Sequence, residues 1–338
     1  MAVNSDRKTA MSIGLSSAQR TLLPVTAQAV RDARERIKHT VVRTPLVRLN
    51  ADSGGSEVHL KLENLQPIGS FKLRGAANAM ALAGKAALAD GVYTASAGNM
   101  AQGVAWCARE FGVRCQVVVP ENAPKAKIDA IERLGGEVIK LPFDEWWQTI
   151  VDHGRAGMHG LFVHPFADVD VMAGNGTIAA EIFDDLTAVD AIIVPYGGGG
   201  LATGIAAAAR VFSPLTKVYA VEVDTAAPLS ASWAAGQRTP IVRQQSFVDG
   251  IGSSGVSEEM WPLAQSLLAG TVTVSVQQVA DAVRLLASRA NVVAEGAGAA
   301  AVAAAMAGKI DARRVVCIVS GGNIDLEKLA MILQGNVP

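Results

Sequence analysis

Cysteine is scarce in this chain: Cys107, Cys115 and Cys317 are the only three among 338 residues. Three thiols so widely spread form neither a disulfide framework nor a four-thiolate zinc site, and a reducing cytoplasm is the expected compartment. An excess of charge of one sign is missing too, since 30 Lys+Arg against 31 Asp+Glu leave a formal net charge of −1. Nucleic acid and anionic membranes are therefore excluded as partners, because binding their phosphates requires clustered basic groups. A membrane-spanning helix is also lacking. The uncharged run over 191–209 carries Pro195 and four consecutive glycines at its middle. Glycine-rich backbone in lipid would leave peptide groups unpaired, so a strand, a loop and a helix in succession are expected there. Asp6, Arg7 and Lys8 are followed by no sustained apolar segment, which excludes a signal peptide. Residues 1–22 read as a poorly ordered extension.

What the chain has instead is 50% hydrophobic residues and 33 glycines, a composition that excludes disorder for most of it. At about 100–200 residues per domain, its length fits two domains or one large unit with an insertion. Thr26 is placed to cap a helix whose apolar residues Val30, Ala33 and Ile37 recur at helical spacing. Thr44-Pro45 breaks that pattern. Val58, Leu60 and Leu62 then alternate with His59, Lys61 and Glu63, as in a half-buried strand. Strands are expected over 92–95, 116–119, 137–141 and 162–163, with helices over 101–110, 124–134 and 146–155. A second series places helices at 177–186, from 201, and over 276–290, 296–307 and 325–333, around strands at 191–194, 218–222 and 315–319. Continuous β-branched runs predict parallel strands covered on both faces. The expected fold class is α/β, with two doubly wound open-sheet domains.

Three strand-to-helix junctions are built of small residues. Pro195-Tyr196-Gly197-Gly198-Gly199-Gly200-Leu201 has more glycine than a tight turn needs, and its amides at a helix start suit a phosphate. No Lys-Ser/Thr follows, so it is not the nucleotide P-loop. Ser96-Ala97-Gly98-Asn99-Met100 can present N–H groups and an amide to a carboxylate, and Ser320-Gly321-Gly322-Asn323 forms the third junction. In an open α/β sheet all three converge on one crevice. Lys72, beside Gly69 and Phe71 at a helix start, is electrostatically misplaced there; held in a pocket it becomes a nucleophile or Schiff-base former. Gly250-Ile251-Gly252-Ser253-Ser254-Gly255 spells GxGxxG without the flanking strand and helix that a dinucleotide site requires. His153, His159 and His164 match no metal spacing. No G-x-S-x-G elbow occurs, which argues against a serine hydrolase.

Taken in order, Ser70-Phe71-Lys72-Leu73-Arg74-Gly75, Ser96-Ala97-Gly98-Asn99, Gly197 to Leu201 and Ser320-Gly321-Gly322-Asn323 resemble one family. It is the serine/threonine dehydratase group of fold-type-II pyridoxal-phosphate enzymes, which share the tryptophan synthase β-chain architecture. The resemblance runs from about Pro24 to Leu333 and takes in Thr44-Pro45-Leu46, Lys61 to Gln66, Gly174-Asn175-Gly176-Thr177 and Asp249-Gly250. It implies that Lys72 carries pyridoxal 5'-phosphate, with Phe71 beside the ring and Asn99 on the ring hydroxyl. The amides of Gly197, Gly198, Gly199, Gly200 and Leu201 would hold the phosphate, and Ser320 would face the pyridine nitrogen. Ser96, Ala97, Gly98, Asn99 and Met100 would bind the carboxylate of a small amino-acid substrate. The implied reaction is dehydration and deamination of a β-hydroxy amino acid to a 2-oxo acid and ammonia, in a homodimer or homotetramer.

Nested domains are expected, with 23–90 and 168–338 forming a large cofactor-binding unit and 91–167 a small substrate-loop unit. Where the family commonly has His, this chain has Met100, so a more apolar pocket and a bulkier substrate such as phenylserine are expected. Ala97 stands where serine racemases use a serine, which disfavours racemisation. Glu222 matches a divalent-cation ligand of the family, but Pro228 occupies the partner acid's position, so no metal is expected. The chain ends at Pro338 without room for a C-terminal regulatory domain, and isoleucine feedback is not expected. Two other readings stay open: racemisation or β-replacement on the same scaffold, and a non-catalytic regulator that binds a phosphate-bearing ligand.

Overall fold

The structure, a computed structural model, describes residues 21–338; of the extension expected at 1–22, residues 1–20 lie outside the described residues. Helix α1 (Ala27–Ile37) starts where Thr26 Oγ1 accepts from the Ala29 N–H at 3.1 Å, and it buries Val30, Ala33 and Ile37. Strands β1 (Leu46–Arg48) and β2 (Glu57–Lys61) and helix α2 (Lys72–Ala87) follow. The next stretch forms β3 (Val92–Ala95), α3 (Asn99–Phe111), β4 (Cys115–Pro120), α4 (Lys125–Arg133), β5 (Gly136–Leu141), α5 (Phe143–Val151) and β6 (Leu161–Phe162). Then come α6 (Val169–Asp185), β7 (Ala191–Pro195), α7 (Gly200–Phe212), β8 (Lys217–Val223), α8 (Pro228–Ala235) and α9 (Trp261–Leu267). The chain closes with β9 (Gly270–Val274), α10 (Val276–Leu285), α11 (Gly296–Met306), β10 (Arg314–Ile318) and α12 (Leu326–Leu333). Helix α6 starts well before the expected 177, because the Asp168 side chain caps it by accepting from the Asp170 and Val171 amides. The uncharged run over 191–209 resolves into β7, the glycine turn and part of α7. Among the described residues no helix is long and apolar enough to cross a membrane.

Six strands form one sheet in the order β1-β2-β10-β7-β8-β9, parallel except for β1; four form another in the order β5-β4-β3-β6, all parallel. Successive residues of the central strands feed opposite cores. Ala191, Ile193, Val315 and Cys317 pack with α10 and α11, whereas Ile192, Val194, Val316 and Ile318 pack with α1, α6 and α7. The smaller sheet behaves alike, with Val117 and Val119 against α2 and α3 and Val118 against Ile150 of α5. Both sheets are thus covered on two faces, as the continuous apolar runs predict. Leu161 N–H donates to Gly91 O at 3.0 Å, so the segment carrying the four-stranded sheet begins and ends side by side. Helix α2 lies ahead of that segment, yet Leu73, Ala76, Ala77 and Met80 join its core.

Strand β2 departs from expectation. Its polar residues are not on a solvent face: His59 is 9% exposed and Lys61 0%. His59 pairs with Glu57 at 2.7 Å, and Lys61 belongs to a buried charge cluster. Arg74 forks onto Glu63, with Nε–Oε2 at 2.8 Å and Nη2–Oε1 at 2.9 Å, and onto Glu181, with Nη1–Oε1 at 2.7 Å and Nη2–Oε2 at 2.8 Å. Lys61 Nζ donates to Glu181 Oε2 at 2.6 Å and to Thr44 O at 2.7 Å. Thr44 Oγ1 donates to Glu63 Oε1 at 2.6 Å, Gln66 Nε2 donates to Glu63 Oε2 at 3.2 Å, and Arg74 Nη1 reaches Thr177 Oγ1 at 3.1 Å. Two cations and two carboxylates cancel, and the cluster ties β2, α2, α6 and the 42–44 loop together. Close approach makes this possible: a methyl group on Gly174 would lie 2.3 Å from Arg74 O. Burial pushes the Glu63 carboxyl up, but Arg74 outweighs it and holds the group below the ordinary range.

Removing one partner of a buried pair strands the other charges, so Arg74→Ala is expected to cost about 3–5 kcal/mol in urea unfolding at pH 7. A loss under about 1 kcal/mol would show that water reaches the cluster. Because the folded-state pKa of Glu63 is depressed, its stabilisation is fully present above the ordinary glutamate value. It is lost as pH falls through the lowered one.

Candidate active site

Lys72 opens α2, and the turn before it docks on the loop that follows β10. The Phe71 N–H donates to Ser320 O at 3.0 Å, the Gly322 N–H to Gly69 O at 2.9 Å, and Ser70 bridges Gly321. The Lys72 turn and the junction at 320–323 therefore form one structural unit. Lys72 Nζ lies 5.2 Å from the Phe71 ring centroid and donates to Pro165 O at 2.5 Å. Burial lowers its pKa to about 8, partly countered by the charge of Glu295. Such an amine is partly neutral at physiological pH and can attack an aldehyde.

The glycine junction connects β7, which pairs directly with β10, to α7. Gly199 takes φ +95°, and methyl groups on Gly198 and Gly200 would fall 2.3 Å from the Phe166 ring and 2.5 Å from Phe166 O. The Pro165-Phe166 pair thus touches both Lys72 and the glycine loop. The amides of Gly197, Gly198, Gly199, Gly200 and Leu201 donate to no described acceptor, at the start of a 13-residue helix. Five free donors in sequence make an anion cradle.

At the end of β3, the Gly98 N–H donates to Ser96 Oγ at 3.2 Å, while the amides of Ala97, Asn99, Met100 and Ala101 donate to no described acceptor. This second nest suits a carboxylate. Met100 requires a correction. Its side chain is 1% exposed and packs in the core of the four-stranded sheet, so only its backbone N–H is offered here, and it does not make the pocket more apolar. The Asn99 side chain instead contacts Glu295 and Asn323. Ser320 is 3% exposed, and its hydroxyl makes no hydrogen bond to a described residue.

Sequence reasoning missed Glu295. It is the sole ionisable residue between Arg289 and Lys309, a signal available in the sequence. Glu295 Oε1 accepts from Asn99 Nδ2 at 2.8 Å and would lie 2.3 Å from a methyl group on Gly321. Burial, and then the charge of Asp249, push its pKa up to about 7, with the Asn99 hydrogen bond opposing. Asp249 pairs with Lys127 of α4 at 2.6 Å, which links a helix of the four-stranded sheet to the 3-10 turn carrying Asp249. Gly250 lies in a short 3-10 turn, and its carbonyl would be 3.1 Å from a methyl group on Gly197; the GxGxxG spelling serves as a wall here.

These residues fit a cofactor that carries both an aldehyde and a phosphate. An amine and an anion cradle are present, and two buried hydroxyls beside them, Ser70 Oγ and Tyr196 Oη, have no partner. A metal at Glu222 does not fit. Its Oε1 accepts from the Leu229 N–H at 2.8 Å, and its Oε2 accepts from the Ser230 N–H and Oγ, each at 2.7 Å. The start of α8 thus occupies both oxygens. His153 pairs with Glu259 at 2.9 Å, and His164 Nδ1 accepts from the Phe166 and Ala167 amides at 3.2 and 2.8 Å, behind the Pro165 contact.

Comparison with known proteins agrees with this geometry. The family described as "Pyridoxal-phosphate dependent enzyme" matches residues 37–321. The L-threonine ammonia-lyase of Thermotoga maritima is 37% identical over 317 residues, which cover 92% of this chain and 78% of that protein. The processed threonine deaminase isoform 2 of Solanum lycopersicum superimposes with TM-score 0.81 at 31% identity, covering 93% of this chain and 96% of that one. Serine racemase from Dictyostelium discoideum gives TM-score 0.81 at 32% identity, covering 89% and 99%.

With a pKa of about 8, the neutral fraction of Lys72 rises roughly tenfold between pH 7 and pH 9. Capture of an aldehyde at Lys72, trapped with borohydride and mapped by peptide mass, is expected to rise in step. A rate still climbing at pH 10 would mark an ordinary, solvated lysine. Gly200→Ala, which forces Phe166 aside, is expected to weaken binding of a phosphate-bearing aldehyde at least about tenfold in equilibrium dialysis.

Proposed function

The chain belongs to the pyridoxal-phosphate-dependent enzymes, and on that premise we propose that it dehydrates and deaminates a β-hydroxy amino acid of the threonine or serine type. The observation that carries this reading is the meeting of one lowered-pKa amine, Lys72, with two separate nests of free amides. One nest, Gly197 to Leu201, takes the cofactor phosphate; the other, Ala97 with Asn99, Met100 and Ala101, takes the substrate carboxylate. Bound there, pyridoxal phosphate supplies an electron sink for the pair left at the substrate α-carbon. Lys72 would be the attachment point and the base for the α-proton, its Nζ oriented by donating to Pro165 O at 2.5 Å. Asn99, with one N–H to spare, would serve the ring hydroxyl, and Ser320 would offer a neutral hydroxyl to the ring nitrogen. The α C–H and β C–O bonds break and water leaves. The released enamine then takes up water to give the 2-oxo acid and ammonia.

Racemisation is the second reading, because the Dictyostelium neighbour is a serine racemase. Ala97 supplies no hydroxyl to return a proton from the opposite face, which favours elimination. Threonine and serine head the substrate list, since Met100 no longer argues for a bulkier one. We also infer a large unit of 23–90 with 168–338, a small unit of 91–167, and a homodimer or homotetramer. A reducing, cytoplasmic setting fits three buried free thiols whose pKa values burial pushes up.

The test is a panel of L-threonine, L-serine, threo-hydroxyaspartate and phenylserine, with 2-oxo acid and D-isomer both measured. Turnover to 2-oxo acid is expected, falling by roughly 10³-fold in Lys72→Ala together with the borohydride-sensitive visible band. A band with D-isomer alone would transfer the reading to a racemase. A colourless protein after loading would transfer it to a non-catalytic regulator.

A further inference from the structure

The orientation of Asn99 follows from a chain of hydrogen bonds that begins at a backbone carbonyl. Ile68 O can only accept, and it takes an N–H from Asn323 Nδ2 at 2.8 Å. The same Nδ2 donates at 2.8 Å to Asn99 Oδ1, so both its hydrogens are used and the amide cannot be turned over. Asn99 must then present its nitrogen to the other side, where Nδ2 donates to Glu295 Oε1 at 2.8 Å. The network assigns both amide orientations, which side-chain shape alone would leave open. One N–H of Asn99 remains without a described acceptor.

Asn323 is confined by Gly69, where a methyl group would lie 2.6 Å from its Oδ1. Glu295 is confined as well, being 8% exposed and lying against Gly321, whose carbonyl accepts the Glu295 N–H at 3.0 Å. The charged groups that act on Glu295 come from three elements: Lys72 on α2, Lys127 on α4, and Asp249 from the 3-10 turn. Glu295 and Asn323 come from different elements and converge on the same small amide.

We propose that Glu295 and Asn323 are positioning residues that lock Asn99 so that a single N–H faces the ring oxygen of the bound cofactor, with the Glu295 carboxyl coupling the cofactor's absorption to pH. This rests on the proposed function, since it takes pyridoxal phosphate as the ligand. An ionised Glu295 strengthens its hold on the Asn99 amide, and protonation relaxes it, because hydrogen bonds to a charged acceptor are the stronger ones. The coupling falls near neutral pH, where burial places the Glu295 transition at about 7.

The experiment uses the loaded wild-type enzyme with Glu295→Gln and Asn323→Asp, reading the cofactor dissociation constant, the visible absorption between pH 6 and 9, and the melting temperature. Asn323→Asp removes the donor that Asn99 Oδ1 requires. Its cofactor dissociation constant is expected to rise roughly 10- to 100-fold, with a displaced band. Glu295→Gln keeps an acceptor but loses the charge. It is expected to hold the cofactor within about threefold while its band no longer changes across pH 7. If Asn323→Asp does not fold, Asn323→Ala replaces it, with about a tenfold weakening expected. A Glu295→Gln band that titrates as wild type, or an Asn323 variant that binds cofactor as wild type, overturns the proposal; so does a wild-type band that is flat across this range. A variant altered in melting temperature alone has a merely structural role and counts against it. Wild type that neither takes up the cofactor nor turns over any amino acid overturns the function proposed above, and this inference with it. A loaded, active wild type with unaltered variants overturns this inference alone.

Discussion

Arg74 gripping two carboxylates in the buried centre of the protein is the interaction on which the rest of the structure leans. Desolvating an ion pair offsets much of its Coulombic gain, so the cluster is a poor source of net stability. What it supplies is geometry. Its four charges sit on β2, the turn after it, α2 and α6, and three of them, Lys61, Glu63 and Arg74, are oriented by further hydrogen bonds with Thr44, Gln66 and Thr177. Lys72 lies two residues before Arg74 on the same helix. The reactive amine inherits its position from a guanidinium whose fork leaves little freedom of rotation.

Much of the architecture was legible in the sequence because burial on both faces leaves a plain mark. The runs at 191–194 and 315–319 became neighbouring strands, and the small-residue junction after the second docks on the turn that carries Lys72. Less of the site's support was legible. Lys61 and Glu63 alternate with apolar residues as solvent-facing groups do, and only the partner Glu181, 120 residues on, reveals them as buried. The same separation hid why Thr44-Pro45, Lys61 to Gln66 and Gly174 to Thr177 accompany the active-site motifs: they house the charge cluster. Met100 misled for another reason. In the first turn of a helix the backbone N–H can face the crevice while the side chain turns into the core. Strand β9 alternates Thr271 and Thr273 with Val272 and Val274, an edge-strand pattern absent from the strands expected above.

Both proposed anion sites are made of main-chain donors. Backbone amides carry no net charge, hold their direction without rotamer entropy, and gain strength from the helix behind them. A chain with formal net charge −1 can therefore bind a phosphate and a carboxylate close together. This leaves the site's few ionisable groups, Lys72 and Glu295, free to respond to proton transfer rather than to charge neutralisation.

The hydrogen bond from Leu161 to Gly91 has a consequence for how such a protein can diversify. A segment whose two ends are neighbours behaves as a cassette, exchangeable in inheritance or in the laboratory without moving what lies outside it. Inside the cassette lies the nest assigned to the substrate carboxylate; outside it lie the amine and the phosphate cradle. The proposed carboxylate nest thus lies in one stretch of the gene and the amine and phosphate cradle in others, with Asn99 the link between them through Glu295 and Asn323. The surface a donor segment would have to match is the face of α2 formed by Leu73, Ala76, Ala77 and Met80.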